Sequence, residues 1–231
     1  MTRSQASPSR AREQKPGAAE VLALLAEGNR RFWQNRPRHP NTGPARLLQA
    51  HGADQAEHAL ATVLACSDSR VPVERIFDVG IMDLFVVRVA GNVIGQATAA
   101  SLEYGALHVH TPLLVVLGHT GCGAVTAAWQ RRQQKGADID PNIANLLDRI
   151  DPALERVPPP PAGAPGHGLI DAAVEENVWQ SLADLGRMSP QIRRASQEGR
   201  LGVAGAIYNL EYGQVRWLDQ RRARSAVAGR L

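Results

Sequence analysis

Two cysteines occur in the 231-residue chain, and each follows a short apolar run. Cys66 comes after residues 59–65, in the stretch Ala65-Cys66-Ser67-Asp68-Ser69-Arg70-Val71-Pro72. Cys122 comes after residues 113–117, in Gly118-His119-Thr120-Gly121-Cys122-Gly123. Both runs have the length and composition of buried strands. In an open parallel α/β sheet, ligands gather outside the carboxyl ends of the strands. Cys66, His119 and Cys122 are therefore expected to meet, and two thiolates with one imidazole form a donor set suited to Zn2+. A catalytic zinc keeps one position open, and Asp68 or water is expected there. Arginine holds a carboxylate through two parallel hydrogen bonds. Arg70 can thus draw Asp68 off the metal and leave it to orient a zinc-bound hydroxide, whereas a closed form has Asp68 as fourth ligand.

The elements that must position these groups follow from pattern. Residues 18–34 carry apolar positions on one face and read as an amphipathic helix that docks on the domain or on a second subunit. Residues 44–50 form a short helix candidate with proline first. Residues 84–89 (LFVVRV) are β-branched and nearly continuous, which reads as a central parallel strand. Arg88 interrupts that strand, so it must lie near a strand end or be paired. Residues 97–108 read as a helix, 113–117 as a strand and 121–133 as the helix after the second motif. Further helices are expected over 142–150, 169–185 and 191–197. Residues 201–208 and 214–218 read as a β-hairpin. The order argues for an α/β fold, a mostly parallel central β-sheet flanked by helices, with an N-terminal helical arm and a C-terminal β-hairpin extending the sheet. The expected layout is a disordered tail over 1–17, one α/β domain over 18–220 whose arm is 18–50, and a basic tail over 221–231. The Pro/Gly-rich stretch 157–168 reads as an irregular surface loop.

Composition narrows the function class. An apolar fraction of 44% allows a sizeable core. The net charge is +4, with only two lysines, Lys15 and Lys135, and arginines near both ends. No aromatic residues interleave with them, so the tails read as solvated and no nucleic-acid partner is expected. No run reaches transmembrane length, so no membrane partner is expected. Residues 1–15 contain no apolar core of a secretory signal. Two cysteines in a metal-like setting suit a reducing compartment, so the expected location is cytoplasmic, or periplasmic if a signal segment had been removed.

The two motifs together resemble the β-class carbonic anhydrase family. Asp83-Leu84-Phe85-Val86-Val87-Arg88-Val89-Ala90-Gly91-Asn92, Glu103-Tyr104 and Gly28-Asn29-Arg30-Arg31-Phe32 are similar to it as well. The resemblance spans roughly residues 20 to 219. It implies zinc-dependent reversible hydration of CO2 to bicarbonate and a proton, a homodimer or homotetramer, and an N-terminal arm that embraces a second subunit. It implies that Cys66, His119 and Cys122 bind zinc and that Asp68 and Arg70 form the catalytic dyad. Phe85, Ala90 and Tyr104 fall where the family lines an apolar CO2 pocket, and Gly123 sits beside the substrate. Gln55 is the candidate for a bicarbonate-binding glutamine that the family often contributes across the dimer. Val63 stands where a bicarbonate-regulated subgroup carries tryptophan, so hyperbolic kinetics are expected. Two other readings compete. One is a carbonyl sulfide or carbon disulfide hydrolase of the same fold. The other is a non-catalytic zinc-stabilised interaction module, against which stands a set of only three soft ligands.

Overall fold

The computed structural model describes residues 15–133, 139–158 and 167–230. The expected disordered tail up to residue 14 and most of the expected Pro/Gly-rich loop, 159–166, lie outside the described residues. The chain runs α1 (Ala18–Trp33), α2 (Pro44–Gly52), β1 (Ala61–Ala65), α3 (Val73–Ile76), β2 (Leu84–Arg88), α4 (Gln96–Glu103) and β3 (Leu113–His119). It continues with α5 (Gly123–Gln133), α6 (Pro141–Leu147), α7 (Asp151–Glu155), α8 (His167–Met188), α9 (Pro190–Gln197), β4 (Gly202–Tyr208), β5 (Val215–Trp217) and α10 (Gln220–Val227).

Five strands form one sheet in the order β2-β1-β3-β4-β5. All pairs are parallel except β4 with β5, the expected hairpin. Side chains alternate between two cores, as a pleated strand requires. Leu64, Leu114, Val116 and Val203 face α4, α5, α8 and α10 in one cluster. Val63, Ala65, Val115 and Leu117 face α1 and α3 in the other.

One strand lies elsewhere than the sequence suggests. Residues 84–89 read as a central strand, yet β2 is an edge, and Leu84 to Val87 are only half-buried. The apolar run arises because both of its faces are covered: Leu84 and Val86 pack on one core, Val87 and Val89 on the other. Covered faces and a central place in the sheet leave the same mark in a sequence. The helix expected over 97–108 is α-helical only to Glu103 and continues as a π-turn over Tyr104–His108.

The segment 221–231 also differs from the expected tail, because most of it is α10. Asp219 caps that helix by accepting from the Arg222 N–H at 2.6 Å, and Ala223, Ala226 and Val227 are buried. Arg222 lies over the Trp179 ring at 4.5 Å and pairs with Glu176 at 2.9 Å. Ala223, Ala226 and Val227 stand at i, i+3 and i+4, but side chains this small among four arginines did not read as a docked face.

The arm is tied down by polar contacts as well as by Val21 and Leu25. Asn29, buried in α1, donates to the Ile76 carbonyl at 3.1 Å and the Gly213 carbonyl at 2.9 Å, and accepts from the Val215 N–H at 2.8 Å. Beside it Gly28 sits against α3: a Cβ there would come within 1.8 Å of the Phe77 carbonyl oxygen. Gly28→Ala therefore forces the helix away, at a cost of about 1–3 kcal/mol for overpacking. Alanine's helix preference of about 1 kcal/mol offsets only part of that. The expected outcome is a lower melting temperature, and a higher one would mean that α1 does not dock this closely.

Two buried carboxylates hold the segment between α1 and α2. Asp83 accepts from Asn41 Nδ2 at 2.9 Å, Arg46 Nη2 at 3.0 Å and the Gly80 N–H at 2.8 Å. Asp78 accepts from the Arg38 and His39 N–H groups and from Arg31 Nε at 2.6 Å. Burial alone would raise the Asp78 pKa, but these donors outweigh it and the net shift is downward. A carboxylate whose folded pKa lies below its unfolded value of about 3.9 stabilises the fold above that value. The contribution is lost as pH falls through the folded pKa. Asp78→Asn should then lower the urea midpoint at pH 7 and reduce the difference between pH 7 and pH 3 midpoints. An unchanged difference would remove Asp78 from the acid sensitivity of the fold.

Candidate active site

Cys66 follows the last residue of β1, and His119 is the last residue of β3, the strand beside it. Cys122 lies in the short turn between β3 and α5. Gly121, at φ 61°, makes that turn, a left-handed conformation that glycine adopts without a Cβ penalty. The sulfurs of Cys66 and Cys122 and a ring nitrogen of His119 lie within 4.8 Å of one another, and all three residues are buried. Both cysteines are free thiols. His119 Nδ1 is 3.0 Å from the Thr120 carbonyl oxygen, which fixes the tautomer with the proton on Nδ1. Its Nε2 is buried without a hydrogen-bond partner and faces the two sulfurs. An orphaned buried acceptor is costly unless something fills it. A cation between two sulfurs and this nitrogen does so, and the soft donors suit a metal of the zinc type.

The sulfurs differ in environment. Cys66 receives the Cys122 thiol and the N–H groups of Asp68 and Gly91, which together outweigh burial and draw its pKa down. The Cys122 pKa is pushed up by the Cys66 sulfur and by burial, against the N–H groups of Val125 and Ala124 at the head of α5. The pair thus releases one proton readily and holds the second, which a divalent cation would displace.

Asp68 and Arg70 pair as the motif suggests. Asp68 Oδ1 accepts from Arg70 Nε at 2.9 Å and from the Arg70 N–H at 2.9 Å, and Oδ2 accepts from Nη2 at 2.7 Å. The guanidinium holds the Asp68 carboxyl well below the usual carboxylate range. The same Oδ2 is 3.9 Å from His119 Nε2, so the carboxylate stands beside the cluster while bound to arginine. Arg88, at the exposed end of β2, donates to the Cys66 carbonyl at 3.1 Å and the Asp68 carbonyl at 2.6 Å. It lies at a strand end and is satisfied, as its charge demanded, and it clamps the loop that carries Cys66 and Asp68.

The other expected site residues divide into two groups. Ala90 begins the turn whose next residue, Gly91, donates its N–H to Cys66 Sγ at 3.3 Å, and Gly123 opens α5 next to Cys122. Phe85 and Tyr104 pair with each other, ring centroids 6.0 Å apart, but stand away from the ligands. Phe85 is in register with Thr62, and Ala65 with Arg88, so Phe85 lies about 10 Å down the strand from the site end. Tyr104 is 51% exposed. Gln55 is exposed and precedes β1, at the end of the strand opposite Cys66. A single chain does not bring Gln55, Phe85 or Tyr104 to its own ligand cluster.

A family model described as carbonic anhydrase matches residues 61–215, from the start of β1 to β5. The chain belongs to the β-class carbonic anhydrase family. A carbonic anhydrase of Mycolicibacterium smegmatis is 34% identical over 202 residues, 87% of this chain and 94% of that protein. Carbonic anhydrase 2 of Mycobacterium tuberculosis is 35% identical over 82% of this chain and 87% of its own length. Among solved structures, the β-carbonic anhydrase CafA of Aspergillus fumigatus matches with a TM-score of 0.64 and 27% identity, over 90% of this chain and 95% of that one. The chain is an enzyme, a lyase that hydrates CO2 reversibly, and neither the sulfur-analogue hydrolase nor the interaction module is favoured. Its substrates are small molecules, and no helix among the described residues is long and apolar enough to cross a membrane.

Sequence reasoning missed Arg88 as a clamp and missed the residues of α8 that hold the 90–92 turn. One signal was available: Val174, Asn177, Val178, Ser181, Leu182 and Leu185 form an i, i+3, i+4 stripe, and its two polar members interrupt an otherwise apolar face.

Proposed function

We propose that this carbonic anhydrase holds zinc through Cys66, His119 and Cys122 and hydrates CO2 with Asp68 and Arg70 as the working dyad. The observation that carries the reading is the unpartnered Nε2 of His119 facing two free thiols while Asp68 is held aside by arginine. Bound there, zinc supplies the Lewis acidity that brings the pKa of water toward neutrality. Asp68, ionised and turned by Arg70, accepts a hydrogen bond from the attacking oxygen and points its lone pair at carbon. The positive end of α5, at Gly123 beside Cys122, favours the bicarbonate anion that forms. Arg88 keeps the Cys66–Asp68 loop from shifting during turnover.

We assign Phe85, Tyr104 and Gln55 to a site completed by a second copy of the chain, in a homodimer or homotetramer. The edge position of β2, the exposure of Tyr104 and the exposed apolar side chains Leu24, Trp33, Leu47 and Leu48 support this. Phe85 and Tyr104 would then wall an apolar space fitted to CO2, and the Gln55 amide would donate to bicarbonate. Two reduced, buried cysteines agree with a cytoplasmic location.

Stopped-flow CO2 hydration at about pH 8.5, above the roughly neutral pKa of activated water, tests the reading when metal content is assayed on the same sample. Fast turnover with one zinc per chain is expected, rising from mildly acidic to alkaline pH. Bound zinc without turnover, or a flat pH profile, would count against the Asp68 dyad mechanism.

A further inference from the structure

We propose that Asn177 is a positioning residue of the metal centre: by pinning the Gly91 carbonyl, it aims the Gly91 N–H at the Cys66 sulfur and so sets how much charge that thiolate gives the metal. The proposal rests on the metal reading above. It starts from the turn between β2 and α4. Gly91 stands at φ 67° and Asn92 at φ 44°, both left-handed, a region open to glycine and entered by asparagine more readily than by most side chains. The carbonyls of such a turn fall outside any helix or sheet ladder, and its surroundings must supply their donors.

The surroundings do so from α8. Asn177 Nδ2 donates to the Gly91 carbonyl at 2.7 Å, and Ser181 Oγ donates to the Asn92 carbonyl at 2.9 Å. The two donors are one helical turn apart on the same face. Asn177 is 1% exposed and Ser181 2%. On the other side, a Cβ at Gly91 would meet Ile150 Cδ1 at 3.0 Å and Ala124 Cβ at 3.1 Å, so the turn is walled in. The Gly91 N–H lies in the peptide plane before the one that carries its carbonyl, so the pinned carbonyl sets the N–H through the φ 67° and ψ 16° of Gly91, which the walls hold; so held, the N–H meets Cys66 Sγ at 3.3 Å.

The chemistry of Asn177 argues for more than packing. Its Oδ1 is buried without a partner, so the amide is kept at the cost of an unmet acceptor. What it contributes is the donor alone. An N–H donated to a thiolate withdraws charge from sulfur, and outer partners of this kind tune the metal through its ligands. With two thiolates in the set, that withdrawal bears on how acidic a ligating water becomes.

The test is the thiolate-to-cobalt charge-transfer band of the cobalt-substituted protein, read in wild type, Asn177→Ala, Ser181→Ala and Ser189→Ala, with urea midpoints on each. Ser189 is a buried helix cap bonded to Ile192 N–H at 3.1 Å, on the same stretch of chain but about 18 Å further along from Asn177 by helical rise. The expected result is a shift to lower energy in Asn177→Ala, a smaller shift the same way in Ser181→Ala, and none in Ser189→Ala. A band unmoved in Asn177→Ala, with a midpoint lowered as in Ser189→Ala, would reduce Asn177 to a structural part and overturn the proposal. Wild type without any thiolate-to-cobalt band would instead sink the metal reading. If Asn177→Ala does not fold, the near-isosteric Asn177→Asp, which has no amide N–H to donate to the Gly91 carbonyl, is read in the same band. A shift to lower energy supports the proposal, and an unmoved band overturns it.

Discussion

His119→Ala should lose CO2 hydration almost entirely and lose its metal with it. The imidazole is fully buried, its Nδ1 is committed to the Thr120 carbonyl, and its Nε2 has no role in the fold among the described residues. Removing it leaves two sulfurs, too few for a catalytic zinc site of three protein ligands. Metal assistance supplies several kcal/mol of transition-state stabilisation, so turnover should fall by at least on the order of 1,000-fold. The fold should persist, because β1 and β3 are held by their own register and by cores on both faces of the sheet. Circular dichroism, metal content and hydration rate measured together check this. A variant that keeps both metal and turnover would show that His119 is not a ligand.

Asp68→Asn should keep the metal and lose about 100-fold in turnover, the range expected for one positioned acid–base group. Asparagine fills the space but cannot accept both Arg70 bonds, Nε to Oδ1 at 2.9 Å and Nη2 to Oδ2 at 2.7 Å. Arg70→Ala should fall in the same direction by another route. Its loss frees a carboxylate that stands 3.9 Å from His119 Nε2 to close on the metal. The double variant should be little worse than the worse single, since both remove one device. The sign of the pH effect follows from the Asp68 shift. Arg70 holds the carboxyl well below its ordinary range, so Asp68 is ionised throughout neutral and alkaline pH and does not itself titrate there. The rise of wild-type turnover with pH must then come from the water, and Asp68→Asn should keep that inflection at lower amplitude. Full activity in both single variants would take the dyad out of the mechanism.

Cys66, His119, Cys122, Asp68 and Arg70 were legible from the sequence for a physical reason. Each lies at the end of an apolar run or in the turn directly after it, and a strand end followed by a tight turn leaves few directions for the next residues. Asp68 and Arg70 are two positions apart, so local geometry alone can pair them. The hairpin of β4 and β5 was legible on the same ground. Arg88 was half legible: its charge required a strand end, but the Cys66 and Asp68 carbonyls that receive it are 22 and 20 residues away. Asn177 and Ser181 reach carbonyls 86 and 89 residues away, and no periodicity encodes such a distance. The edge place of β2 and the separation of Phe85, Tyr104 and Gln55 from the ligands depend on the order of strands. Covered faces give one hydrophobic pattern whatever that order is. The sequence by itself therefore determined which atoms come together as a possible metal site and which carboxylate stands beside them. Only the tertiary structure decided what holds the Cys66 thiolate's hydrogen bond in place and which candidate residues a single chain leaves outside its own site, because those relations are set by chain crossings rather than by neighbours in sequence.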